Sequence, residues 1–318
     1  MEEWTMSIFV TGASGFIGSA VVRTLLAAGH QVVGLARSDA AAAAIASTGA
    51  TVYRGALDDL DRLSSGAAAA QGVIHTAFVH DFSNFARAAE MDQRAIETIG
   101  AALAGSDRSF VVTSVLAGLP RGRRVTEMDM PEEGAQPSRY SEQAALTLVE
   151  RGVRVSVVRV SLVHGEGDHG FVPTLIRIAR AKGVSAYPGE GMNHWPAVHR
   201  HDVAQLYRLA LESGAAGARL HGVAEEGVPV REIAEVIGRR LNVPAVSLPM
   251  AEVSDHFGWL GPFFSADIVA SSTQTQQQLG WHPNHPTLLV DLDQEHYFHS
   301  ELSCLGSATQ EGRRATAR

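Results

Sequence analysis

Ile8-Phe9-Val10-Thr11-Gly12-Ala13-Ser14-Gly15-Phe16-Ile17-Gly18 is a short apolar strand that runs into three glycines spaced three apart and then into a helix. Gly12 permits the tight turn, and the lack of a side chain there and at Gly15 lets backbone amides approach a diphosphate. Gly18 lets the helix lie close on the strand. The positive end of the helix that begins near Gly15 then faces the anion, so two negative charges are held without a lysine. Gly12, Ser14, Gly15, Phe16, Ile17 and Gly18 are therefore the candidate contacts to a nucleotide diphosphate.

Working outward, Phe16, Ile17, Ala20, Val21, Leu25 and Ala28 recur at helical spacing, and Gly29 follows in the helix-ending position. Residues 31–36 read as a second strand. Arg37 and Ser38 stand at its end, about 20 residues past the last glycine, where ribose selectivity is decided. An acidic residue there would accept from the 2′-hydroxyl of NAD, whereas Arg37 with Ser38 suits a 2′-phosphate, so NADP is favoured and NAD stays open. The plain alternative is that Arg37 only starts the solvated alanine-rich helix 39–47.

The spacing Thr11-Gly12-x-x-Gly15-Phe16-Ile17-Gly18 departs from the general G-x-G-x-x-G fingerprint. It resembles the extended and atypical branch of the short-chain dehydrogenase/reductase superfamily, the NAD(P)-dependent epimerase/dehydratase-like proteins. That resemblance implies an α/β fold, a doubly wound parallel Rossmann sheet with a smaller C-terminal substrate lobe. It also implies roles along the chain. After strand 51–55, the turn under the adenine has Ala56 where the family often has Asp, leaving Leu57 or Asp58 as the contact, with Asp58 equally suited to an N-cap. Thr76, Ala77 and Phe78 at the end of strand 72–78 leave room for the inner ribose and phosphate. His80 and Asp81 lie just beyond, as substrate-side candidates or as loop residue and cap of a helix 82–104.

The fifth strand, 109–114, ends at Ser114, which matches the family's substrate-orienting serine. Tyr140 follows 26 residues later as the matching tyrosine and proton donor. The family's Tyr-x-x-x-Lys is broken, because Ala144 stands where an ammonium would lower the phenol pKa. A neutral phenol can still donate a proton in the reduction direction, and His164 is a reserve donor. Val163 matches a backbone contact to the nicotinamide end. The glycine-rich loop 165–170 suits a lid. Trp195 and His199 are read as substrate-pocket residues, Asp202 as the N-cap of a helix 203–212, and the cluster Phe257, Trp259, Phe263 and Phe264 as a cover or packed loop. No second pair at ligand spacing joins Asp168 and His169, so no metal is expected.

Of the 318 residues, 1–182 are expected to form mainly the nucleotide domain and 183–300 mainly the substrate lobe, with elements free to cross back; 301–318 read as a disordered tail. The net charge of −8 and the lack of a basic stripe argue against nucleic acid as a partner. No apolar run approaches the ~20 residues of a membrane span, and the single cysteine, Cys304, rules out an internal disulfide. The expectation is a cytoplasmic protein that acts on a small molecule and can pair as a homodimer. Its expected activity is hydride transfer between NADPH and a carbonyl or imine carbon. The alternatives are an NADP-binding sensor without turnover and a sugar-nucleotide epimerase or dehydratase.

Overall fold

In the computed structural model, which describes residues 5–80, 84–131 and 139–298, the first strand already separates two layers. Along β1 (Ser7–Thr11), Ile8 and Val10 are buried against one layer and Phe9 against the other, as the two-residue period of a strand covered on both faces requires. It is followed by α1 (Phe16–Ala27), β2 (Gln31–Ala36), α2 (Asp39–Ala46), β3 (Thr51–Arg54), α3 (Leu60–Ala69), β4 (Gly72–His75), α4 (Phe85–Leu103) and β5 (Ser109–Val115). Next come β6 (Arg124–Val125), α5 (Ser141–Thr147), β7 (Arg154–Val160), β8 (Leu162–His164), α6 (Phe171–Lys182), β9 (Ser185–Pro188) and β10 (His194–His199). The chain continues through α7 (Arg200–Ser213), β11 (Arg219–Gly222), β12 (Glu225–Pro229), α8 (Val230–Leu241) and β13 (Ala245–Leu248). It closes with α9 (Val253–Phe257), α10 (Gly261–Phe264), β14 (Val269–Ala270), α11 (Thr273–Leu279) and α12 (Leu288–Leu292).

Seven strands form one parallel sheet in the order β11-β7-β5-β4-β1-β2-β3. The order reverses between β1 and β4, which opens a crevice at the carboxyl edge beside the glycine turn. Helices α1, α2 and α7 cover one face, and α3, α4 and α5 the other. The doubly wound Rossmann sheet is thus present. A second core gathers α6, α8 and α12 around the β8-β10-β12 sheet and the β9-β13 pair.

The chain is not divided at one point. Helix α7 and β11 lie beyond residue 183 yet belong to the nucleotide layers, and Trp281 returns to pack beside α1 and α7. Its indole N–H donates to the Asp202 carbonyl at 2.9 Å. No helix among the described residues is long and apolar enough to cross a membrane. Residues 301–318, with Cys304, lie outside the described residues.

Several expected boundaries shift for local reasons. β4 ends at His75 rather than 78, because Thr76 turns its hydroxyl onto the Thr11 carbonyl at 2.8 Å as the strand exits. Asp59, not Asp58, caps α3, accepting from the Arg62 N–H at 3.2 Å. α4 starts at Phe85 after Asn84, and the capping role read for Asp81 falls outside the described residues. α7 begins at Arg200 with His199 at its N-cap, three residues earlier than expected. Asp202, already inside that helix, instead accepts from the Asn284 and His285 amides at 3.0 and 3.1 Å.

Candidate active site

The glycine turn leaves no room for side chains. Gly12 has φ +70°, and a Cβ there would lie 2.7 Å from the Ala77 amide and 2.8 Å from the Thr76 carbonyl carbon. A Cβ on Gly18 would sit 2.0 Å from the Gly12 carbonyl oxygen. The Gly15 N–H closes the turn onto that same oxygen at 2.8 Å. No side chain caps α1 and no acid stands in its first turn, so the amides at its positive end are open to an anion. Ser14 and Gly15 are exposed at this end, with Phe16 and Ile17 half-buried behind them.

At the adenosine side, Arg37 is exposed at the end of β2 and makes no ion pair among the described residues. Ser38 is the N-cap of α2, accepting from the Ala41 amide at 3.2 Å. Leu57 is half-buried and packs toward the α3 side, while Asp58 is exposed in the turn.

On the inner side, β4 and β5 run together in register, with His75 beside Val112. Ser114, two residues on from Val112, is 5% exposed near the end of β5. Phe78 follows Ala77, and the Arg139 guanidinium carbon lies 3.9 Å from the centre of its ring. His80 packs edge-on to Phe78, at 5.3 Å between ring centres. Burial and the charges of Arg139 and His169 depress the His80 pKa, which favours its neutral form.

Behind this rim runs a buried polar chain. Thr11 Oγ1 meets His75 Nδ1 at 2.8 Å, and His75 Nε2 meets Asp92 at 3.0 Å. Ser141 donates to the second Asp92 oxygen, and Arg139 Nη2 lies 3.3 Å from both. Asp92 has no exposed surface, and burial pushes its pKa up. The His75 hydrogen bond and the Arg139 charge outweigh that and hold it below the usual range.

The lid read in residues 165–170 is a tied loop. Arg200 donates from Nη1 to the Glu166 carbonyl and from Nη2 to Ser19 in α1 at 2.9 Å, with its guanidinium 4.6 Å from the Phe16 ring centre. His169 meets the same ring edge-on at 6.0 Å. Within the loop, burial raises the Asp168 pKa to about 6.

No hydrogen bond joins Ser114 to Tyr140 among the described residues. α5 begins only at Ser141, and its Glu142 reaches Arg159 at 2.6 Å and Arg219 at 2.9 Å. Arg159 is Ser114's neighbour in the sheet. Tyr140, the N-cap residue of α5, is half-buried. It lines a groove of about 320 Å³ with Gln93, Glu97, Gln143, Ala144 and Thr147. Its hydroxyl has no hydrogen bond among the described residues. Expected loss of turnover on Tyr140→Phe is correspondingly small in a steady-state assay, against the ~10²-fold or greater loss of a general acid.

The histidines also go elsewhere. His164 is fully buried with Nδ1 2.8 Å from Asp291, inside the second lobe, while Val163 is half-buried beside it. Trp195 is packed against Phe171 and Phe264, and its indole N–H donates to the Phe263 carbonyl at 3.0 Å. His199 is 8% exposed, and burial lowers its pKa to about 4. Asp81 lies outside the described residues. The aromatic cluster packs on Phe171, with Trp259 and Phe263 each 5.7 Å from its ring centre.

One cluster has potential ligand atoms within 4.8 Å of one another: His199, Asp202 and His285. Its geometry serves packing. The His199 and His285 rings stack at 4.9 Å and 7°, so their lone pairs run alongside instead of converging, and Asp202 Oδ1 also accepts from His285 Nδ1 at 2.7 Å.

Arg139, Asp92, Glu142 and Arg200 were not singled out from the sequence. Asp92 had a detectable signal: it is the one acid on the buried stripe Ala88, Asp92, Ala95, Ile96, Ile99 and Leu103 of α4, and a charge on a core face must find a partner.

A parallel doubly wound sheet with an uncapped glycine turn at its switch point defines a dinucleotide-binding protein. Residues 8–222 match the NAD dependent epimerase/dehydratase family, and the chain belongs to that family. An uncharacterized protein of Schizosaccharomyces pombe is 52% identical over 295 residues, covering 92% of this chain and all of that one. The 3-diazoavenalumate denitrifying reductase of a Streptomyces species is 28% identical over 318 residues, covering 91% of this chain and 100% of its own. The fold also matches the crystal structure of dTDP-glucose 4,6-dehydratase from Streptomyces venezuelae with NAD bound. That match has a TM-score of 0.75 and 20% identity, covering 94% of this chain and 98% of that one.

Proposed function

We propose that this protein is an NADP-dependent oxidoreductase that reduces a carbonyl or imine carbon of a small, partly apolar substrate. The observation that carries the reading is the Gly12–Gly18 cradle, open to an anion and closed to any Cβ. When bound, the reduced nicotinamide would supply a hydride. The α1 amides would hold the diphosphate, Thr76 and Ala77 would border the inner ribose, and Ser114 would orient the substrate.

The direction of reaction is supported by the chemistry at the inner rim. Ser114 and Arg139 are hydrogen-bond donors, and the position of the family's lysine is Ala144. Transient oxidation of a sugar hydroxyl needs a strong base, whereas reduction needs a donor at the substrate oxygen. The reductase activity named for the Streptomyces relative agrees with that direction.

NADP is favoured because Arg37 is exposed and makes no ion pair among the described residues where the 2′ substituent would lie. Arg37→Asp should shift the NADPH-to-NADH affinity ratio toward NADH by ~10-fold or more, since a charge-assisted hydrogen bond is lost. Equilibrium titration with both cofactors reads the shift. The activity itself is tested by following NADPH absorbance with 4-nitrobenzaldehyde, ketone and cyclic imine probes. Cofactor binding without reduction of any probe would support the sensor reading instead.

A further inference from the structure

We propose that Arg139 is the residue that holds the reacting oxygen of the substrate, a neutral carbonyl, doing so in place of a tyrosine–lysine pair. This rests on the reductase reading and names the group that touches the substrate. Three observations place it. Gly12 abuts Ala77, Phe78 follows Ala77, and the Arg139 guanidinium lies 3.9 Å from the Phe78 ring centre, so the cation stands one residue beyond the nucleotide cradle. Its side chain is 8% exposed. Nε donates to Ser141 at 3.0 Å and Nη2 to Asp92 at 3.3 Å, while Nη1 has no hydrogen-bond partner among the described residues.

That pattern specifies the ligand chemistry. With Nε and Nη2 engaged, the side-on fork that suits a carboxylate or phosphate is already in use. Nη1 keeps its two N–H groups for a substrate oxygen. The fully buried Asp92 carboxylate offsets the positive charge locally, so the pair attracts a free anion weakly yet keeps a directed N–H. A neutral carbonyl whose oxygen becomes negative in the transition state is the group such a donor favours. Stacking on Phe78 and the two anchoring hydrogen bonds fix the donor before the substrate arrives.

With the reduced nicotinamide bound, the carbonyl carbon would accept its hydride, the C=O π pair would move to oxygen, and the resulting alkoxide would take a proton from water. Arg139 donates a hydrogen bond throughout and keeps its own protons.

The test uses the full chain. Arg139→Gln should lower kcat with NADPH and 4-nitrobenzaldehyde by ~10²-fold, the usual cost of one such donor, with NADPH affinity nearly unchanged. Arg139→Ala should be partly rescued by guanidinium chloride below its denaturing range. Arg139→Lys should keep the thermal midpoint and remain slow, because its single ammonium is taken by Asp92. Binding of the unreactive carbonyl analogue benzamide to the NADPH-loaded protein, measured by calorimetry, is independent of turnover. Wild type should bind it and Arg139→Ala should not.

If wild type reduces no probe, the reductase reading falls while the benzamide comparison still decides the role of Arg139. The proposal is overturned by equal benzamide binding in wild type and Arg139→Ala, or by none in wild type. Full kcat in any Arg139 variant overturns it too, as does loss of activity that guanidinium leaves untouched and that tracks a fallen thermal midpoint.

Discussion

Gly18→Ala should abolish nicotinamide cofactor binding while leaving a folded, less stable protein. The added methyl would stand 2.0 Å from the Gly12 carbonyl oxygen and 2.7 Å from its carbon. Backbone must move, since neither atom belongs to a flexible side chain. Overpacking of this kind costs ~1–3 kcal/mol, and the shift falls on the turn that aims the α1 amides. A ligand at a hundred times its Kd stabilises a protein by ~2.7 kcal/mol, so NADPH should raise the thermal midpoint of wild type and leave that of the variant unchanged. A variant that binds NADPH normally would mean that the dinucleotide sits elsewhere.

Asp92→Ala should be the most destabilising single change in the sheet region. Asp92 has no exposed surface and accepts from His75, Ser141 and Arg139. Removing one partner of a buried ion pair costs ~3–5 kcal/mol because the other charge is stranded. The pH dependence follows from the native pKa, which lies below the unfolded value. The carboxylate therefore contributes stability that is present above pH ~4 and is lost as pH falls through the native pKa. Chemical denaturation should show a wild-type advantage over Asp92→Asn at neutral pH that narrows below pH ~4. A gap that widened in acid would contradict this account of the network.

The nucleotide half was legible because its signals are local. Glycine spacing, the helical period of Phe16 to Ala28 and the strand before them all lie within a few residues. The pairings that build the inner rim are not local. Glu142 finds Arg159 across 17 residues and Arg219 across 77, and His75 reaches Asp92 across 17. Sequence spacing could bring a serine and a tyrosine into line, but not reveal that α5 starts one residue after Tyr140. The same limit applies to Asp202. A capping residue before an apolar stripe is a sound expectation, yet the helix starts at Arg200, and the carboxylate is drawn to the Asn284 and His285 amides. The return of α7, β11 and Trp281 to the first layers likewise depends on tertiary packing that no short window contains.

Calorimetric titration of the wild-type chain with NADPH and with NADH tests the central claim most directly, with Gly18→Ala as the control. The account predicts saturable binding at one site per chain, tighter for NADPH, and none in the variant. Silence of the wild-type protein toward both cofactors, with no change in its thermal midpoint, would contradict it.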